Sequence, residues 1–94
     1  MNINKDIPPE ESLIEYPSKF PIKVMGRHDS NLLALTQAIV ERHAGALGAE
    51  HIRHRASSDG NFLAITFVVT ARSQGQLDAI YRELTACNAV LMAL

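Results

Sequence analysis

The run Ile52-Arg53-His54-Arg55-Ala56-Ser57-Ser58-Asp59-Gly60-Asn61-Phe62-Leu63-Ala64-Ile65-Thr66-Phe67 decides the fold. Two strand-like stretches flank Asp59-Gly60. That dipeptide is the strongest short-range hairpin signal, because a type I′ turn needs φ > 0 at both central residues. With Asp59 and Gly60 as the loop, Ser58 lies opposite Asn61, and counting outward sets every other pair. Ala56 meets Leu63, Arg55 meets Ala64, His54 meets Ile65, Arg53 meets Thr66, Ile52 meets Phe67 and His51 meets Val68. One face of the ribbon is then mostly apolar, and the other carries Arg53, Arg55 and His51. A slip of one residue would bury the arginines, so the pattern holds the register. The alternative, a three-residue turn with a bulge at Gly60, shifts only the bulged strand.

Upstream, Lys19 to Met25 alternates, with Phe20, Ile22 and Val24 on one side and Lys19, Pro21, Lys23 and Met25 on the other. This is a strand with one buried face. Pro21 donates no ladder bond, which places regular pairing from Ile22 onward. Gly26 ends the strand and opens the loop Gly26-Arg27-His28-Asp29. A helix follows, capped by Asp29 or Ser30, with Leu32, Leu35, Thr36, Ile39 and His43 at helical spacing and Gly45 and Gly48 as its stop. Downstream, Ser73-Gln74-Gly75-Gln76 reads as a capping box. Leu77, Ile80, Tyr81 and Leu84 form that helix's inward stripe, leaving Asp78, Arg82 and Glu83 outside. The last strand, Ala89 to Leu94, has Val90, Met92 and Leu94 as its bulkier alternate set, which places them inward and Leu91 outward.

The order strand, helix, strand, strand, helix, strand is an α+β, ferredoxin-like βαββαβ sandwich. Right-handed crossovers put both helices on one face of a four-stranded antiparallel sheet, in the spatial order last, first, third, second. Residues 1–12 read as a flexible tail and residues 13–94 as a single domain. Within Glu10 to Pro17 a short helical turn is stopped by Pro17, and Leu13, Ile14 and Tyr16 form a cluster expected to dock on the domain.

Composition narrows the function. A chain of 94 residues, 47% hydrophobic and 20% charged, can bury one core without staples. A net charge of −1 argues against nucleic-acid or membrane-surface binding that rests on overall charge. No run approaches a membrane span, and the start has no apolar signal core. The single cysteine, Cys87, excludes an internal disulfide and fits a reducing compartment, so a cytoplasmic location is expected.

The stretch Glu15-Tyr16-Pro17-Ser18-Lys19-Phe20-Pro21-Ile22-Lys23-Val24-Met25-Gly26 resembles the opening of the YbeD-like family of small bacterial proteins. Arg42-His43-Ala44, Ser57-Ser58-Asp59-Gly60-Asn61, the helix run Leu77 to Leu84 and Val90-Leu91-Met92-Ala93-Leu94 fit as well. The resemblance covers Leu13 to Leu94. It implies a ferredoxin-like domain similar to ACT regulatory domains, and it supplies no catalytic residues.

Two regions are candidate sites. The sheet face away from the helices receives Lys23, Met25, His51, Arg53, Arg55, Phe62, Ala64, Thr66, Val68, Thr70 and Leu91. Of these, Lys23, Met25, Arg53, Arg55, Phe62, Val68 and Leu91 are candidates for an interface or for contact with an anion. The plainer reading is a partly exposed sheet shielded by the Leu13–Tyr16 segment. The second region, Gly26, Arg27, His28 and Asp29, joins a strand to a helix amino terminus, where free amides attract anions. In ACT-like domains, the corresponding loop helps to bind small effectors. No metal site is expected: His51 and His54 face opposite sides of one strand, and ligand spacings such as Cys-x-x-Cys are missing. Cys87 continues the inward stripe of the second helix, as a small core residue does. Nothing calls for a cofactor, and no catalytic pair of acids is evident.

The leading expectation is a non-enzymatic regulatory or protein-interaction module, working as a homodimer or with a protein partner, with a small-molecule effector as a further option. An RNA-binding module on the open face is a second class, disfavoured because Phe62 is that face's only aromatic. An acylphosphatase-like hydrolase is a third, echoed faintly by Gly26-Arg27.

Overall fold

The computed structural model describes residues 15–28 and 31–94. Its hairpin strands, β2 (Ile52–Ala56) and β3 (Phe62–Ala71), pair as counted, from Ile52 opposite Phe67 to Ala56 opposite Leu63. The turn itself differs. Asp59 has no positive φ; only Gly60 does, at 80°. Gly60 N–H donates to Ser57 O at 2.9 Å, and Ser57 N–H donates to Phe62 O at 2.8 Å. Ser58, Asp59, Gly60 and Asn61 therefore all lie in the loop. One extra residue on each side of Asp59-Gly60 leaves the opposed pairs unchanged, so the register stands although the turn type does not. Side chains account for the shape. Asp59 Oδ1 accepts from Ser57 Oγ at 2.6 Å and from Asn61 N–H at 3.0 Å, while Ser57 Oγ accepts from Phe62 N–H at 3.1 Å. These local bonds close the turn without a left-handed Asp59.

The sheet has the order β2-β3-β1-β4, with β1 spanning Ser18–Arg27 and β4 Val90–Ala93. Strand β1 pairs with β3 over its whole length, Pro21 included, rather than from Ile22. Lys23 exchanges both backbone bonds with Leu94, at 3.0 and 2.7 Å, so its backbone groups face the β4 side. Pro21, two residues away, faces the same side, and its missing N–H leaves the β3 ladder intact. The strand also runs past Gly26 to Arg27.

Helices α1 (Leu32–Ala44) and α2 (Gln74–Ala86) cover one face of this sheet. The core joins Ile22, Val24, Leu63, Ile65, Phe67 and Val69 of the sheet to Leu32, Ile39, Val40, Leu77, Ile80 and Leu84 of the helices. Each such burial contributes about 1.5–3 kcal/mol. In α1 the inward set is Leu32, Thr36, Ile39 and Val40; Leu35, expected inward, is 43% exposed. The apolar residues of α1 spread around the helix, and the sheet meets the i, i+4, i+7, i+8 face. Buried Thr36 satisfies its hydroxyl on Leu32 O at 2.7 Å. The expected caps Asp29 and Ser30 lie outside the described residues; Asn31 occupies the cap position.

The capping box of α2 is half kept. Ser73 Oγ accepts from Gln76 N–H at 3.1 Å, but Gln76 Oε1 accepts from Arg72 N–H at 2.6 Å instead of Ser73. Gln76 Nε2 also donates to His43 O at 3.1 Å, tying the two helices. Glu83 ties them again, accepting from Arg42 Nη2 at 2.5 Å and His43 Nε2 at 2.6 Å. Tyr16 packs against the core and donates to Gln74 Oε1 at 3.0 Å, on the helical side. Its expected companions Leu13 and Ile14 lie outside the described residues.

Two expectations fail at the sheet edges. In β4, Val90 pairs with Gly26 and Met92 with Met25, so Leu91 is a bulge. Alternation flips there: Val90 and Ala93 pack on the core, while Met92 and Leu94, expected inward, are 49% and 67% exposed. A Cβ on Gly26 would stand 2.3 Å from Ala89 O, so glycine admits the chain that enters β4 at this close approach. In β2, burial reaches Ile52 only to an intermediate degree, and His54 and Ala56 are exposed although they point to the helical side. The helices cover β3, β1 and β4, leaving β2 as an overhang.

Candidate functional site: the open face of the sheet

The registers of the four strands place side chains on the uncovered face in rows. One row runs Arg53, Thr66, Lys23 and Leu94; the next runs Arg55, Ala64, Met25 and Met92. The small side chains of Ala64 and Thr66 form a low floor between taller columns. The result is a trough of about 460 Å³ lined by Lys23, Met25, Arg53, Arg55, Met92 and Leu94 among others. A smaller hollow of about 230 Å³ continues it past Phe62 and Ser57.

The trough is polarised. Its β2 side is cationic, with Arg53 and Arg55. Its β1–β4 side is apolar, with Met25 40% exposed beside Met92 and Leu94. Lys23, on β1 beside Leu94, is the one described cation on that side. Among the described residues no ion pair joins Lys23, Arg53 or Arg55 to a carboxylate, whereas Arg42 and His43 are paired with Glu83 and His51 with Glu50. Glu41 and Glu83 lie on the helices, where neighbours hold both carboxyls below their ordinary value: the Leu47 amide and then Gln37 for Glu41, and Arg42 and then His43 for Glu83. At the turn, the Ser57 hydroxyl and then the Asn61 amide do the same for Asp59.

Of the residues expected on this face, Lys23, Met25, Arg53 and Arg55 converge. Leu91 does not line the trough; it is the bulged residue, 59% exposed. Val68 sits half-buried opposite Pro21, beyond the trough. Phe62 lies under the guanidinium of Arg27, 5.7 Å from ring centroid to Cζ. His51 precedes β2 in a 3₁₀ turn, Ala49–His51, with Nε2 3.5 Å from Glu50 Oε2, and so does not pair with Val68. Met92 and Leu94 were missed because Ala89 to Leu94 is apolar throughout. The one available signal was Gly26, whose missing side chain invites a bulge in its neighbour.

The loop candidates are engaged with the hairpin. His28 N–H donates to Asn61 O at 2.9 Å, and His28 Nδ1 lies 3.1 Å from Gly60 O. Gly26 is a packing contact, Arg27 covers Phe62, and Asp29 lies outside the described residues. Among the described residues no three His, Cys, Asp or Glu side chains converge as a metal site would need. Cys87 is half-buried against the core. Among the described residues no helix is long and apolar enough to cross a membrane.

A protein family described as "protein of unknown function (DUF493)" matches residues 11–94. A UPF0250 protein of Leptothrix cholodnii is 48% identical over 90 residues, covering 96% of this chain and 99% of its own. One of Bordetella pertussis is 50% identical over 80 residues, covering 84% and 87%. These likenesses bear out the family resemblance read from the first strand. The solution structure of protein HP0495 from H. pylori superposes with a TM-score of 0.68 at 12% identity, covering 97% of this chain and 92% of that one, and shares the fold.

Proposed function

We propose, from the premise that the chain belongs to the DUF493 family, that it is a non-enzymatic protein-interaction module working through the open face of its sheet. One observation carries this reading. Met25, Met92 and Leu94 stand exposed and contiguous with Lys23, Arg53 and Arg55, on a face that neither helix covers. A cluster of apolar side chains rimmed by charge is the make-up of an association surface. Arg27 and His28 are occupied by the hairpin, which supports the open face over the loop.

The test compares the wild type with Met25→Glu/Met92→Glu and with a helix-side control, Leu35→Glu. Sedimentation would follow self-association, and affinity capture would follow partners. Association lost in the double variant and kept in the control is the expected result. A chain that stays monomeric and captures nothing through this face overturns the reading.

A further inference from the structure

We infer that the occupant of the open face is an acidic amphipathic helix of another protein, its carboxylates over Arg53, Arg55 and Lys23 and its aliphatic side chains over Met25, Met92 and Leu94. This rests on the interaction reading above and adds the partner's chemistry. Three arguments support it.

The first is charge. Lys23, Arg53 and Arg55 have no counter-charge among the described residues, yet the chain as a whole is at −1. These three cations give the trough a local positive charge that the overall balance hides. An apolar surface closing over unpaired cations would desolvate them at a cost, whereas carboxylates would neutralise them.

The second is the poor fit of a second copy. Stacked in one orientation, two such faces set arginine over arginine. Turned about, they set Arg53 and Arg55 over Met92 and Leu94. Both arrangements bury unpaired cations. Nucleic acid would satisfy the charge, but the apolar half offers thioethers and a leucine rather than rings to stack on, and Phe62 already holds Arg27.

The third is width. Strands lie about 4.8 Å apart, so the arginine column on β2 and the methionine column on β4 are separated by about 14 Å. An extended peptide laid along the strands spans roughly one strand spacing and reaches only one of the two columns. A helix laid the same way, about 10–12 Å across with its side chains, covers most of that separation.

The experiment uses the full chain and a fluorescent synthetic peptide of helix-forming sequence, with a stripe of Glu beside a stripe of Leu. A twin carries Lys for Glu. Anisotropy should show the acidic peptide binding at least about tenfold more tightly than the twin, with affinity falling as salt rises. Arg53→Glu/Arg55→Glu should abolish binding while Arg72→Glu, outside the trough, leaves it intact. A circular-dichroism melt of each variant checks its folding. Equal binding of the two peptides overturns the inference. So does a single-stranded RNA oligonucleotide that displaces the peptide, or a face-dependent dimer that the peptide cannot compete away. If the peptide fails while Met25→Glu/Met92→Glu still abolishes an association, the helix inference alone falls. If that variant also changes nothing, the interaction reading falls with it.

Discussion

Gly26 faces the helical side of β1, where a Cβ would meet Ala89 O at 2.3 Å and the Leu32 side chain at 2.8 Å. Leu32 can turn aside, but the Ala89 carbonyl belongs to the backbone that enters β4. Gly26→Ala should therefore destabilise by about 1–3 kcal/mol, as overpacking does. The neighbouring Met25→Ala, on the open side, should stay within about 0.5 kcal/mol. Urea midpoints of the two variants separate these outcomes. A glycine at this position is legible in sequence only as punctuation, the end of a strand. Its actual role, a close approach by a segment more than sixty positions later, depends on which strands become neighbours.

The same limit appears in whole elements. The β2–β3 register was legible because apolar and charged residues alternate around Asp59-Gly60. The turn type was not, since Asp59's bonds to Ser57 and Asn61 replace the backbone geometry that the dipeptide suggests. A methyl group on Gly60, where φ is 80°, would meet nothing within 4 Å, so Gly60→Ala should cost about 1–2 kcal/mol through conformation alone. Denaturant melts would show it, with the Gly60→Asn variant less affected. For β4, an all-apolar run gives no parity, and the bulge at Leu91 sets it. Met92→Lys should accordingly leave stability within about 0.5 kcal/mol, whereas Val24→Lys would bury a charge and unfold the domain. Between the helices, Glu83 titrates below its ordinary value of 4.5, held first by Arg42 and then by His43. A lowered carboxyl pKa contributes stability that is present above the ordinary value and lost as pH falls through the folded one. Melting curves recorded down through pH 4.5 should thus fall less steeply for Glu83→Gln than for the wild type.

At the scale of the molecule, the charges divide by layer. The helices carry acids and bases together, and the described side chains of the trough carry only bases. Arg53 and Arg55 also lie on an edge strand, where charge discourages strand-to-strand association between copies. Arg53→Ala/Arg55→Ala should raise self-association, read by sedimentation as a larger mean mass at the same concentration. The layered plan was legible from element order, and so was the existence of a bare face. The division of that face into a basic half and an apolar half was not, because it needed the flipped parity of β4. One consequence concerns motion. With neither helix behind it, β2 is a shelf fixed along a single flank, and its amides should exchange with deuterium sooner than those of β1. Anything resting across the trough would brace that shelf from above. Slowed exchange at β2 would then report an occupied molecule even where no atom has changed its mean position.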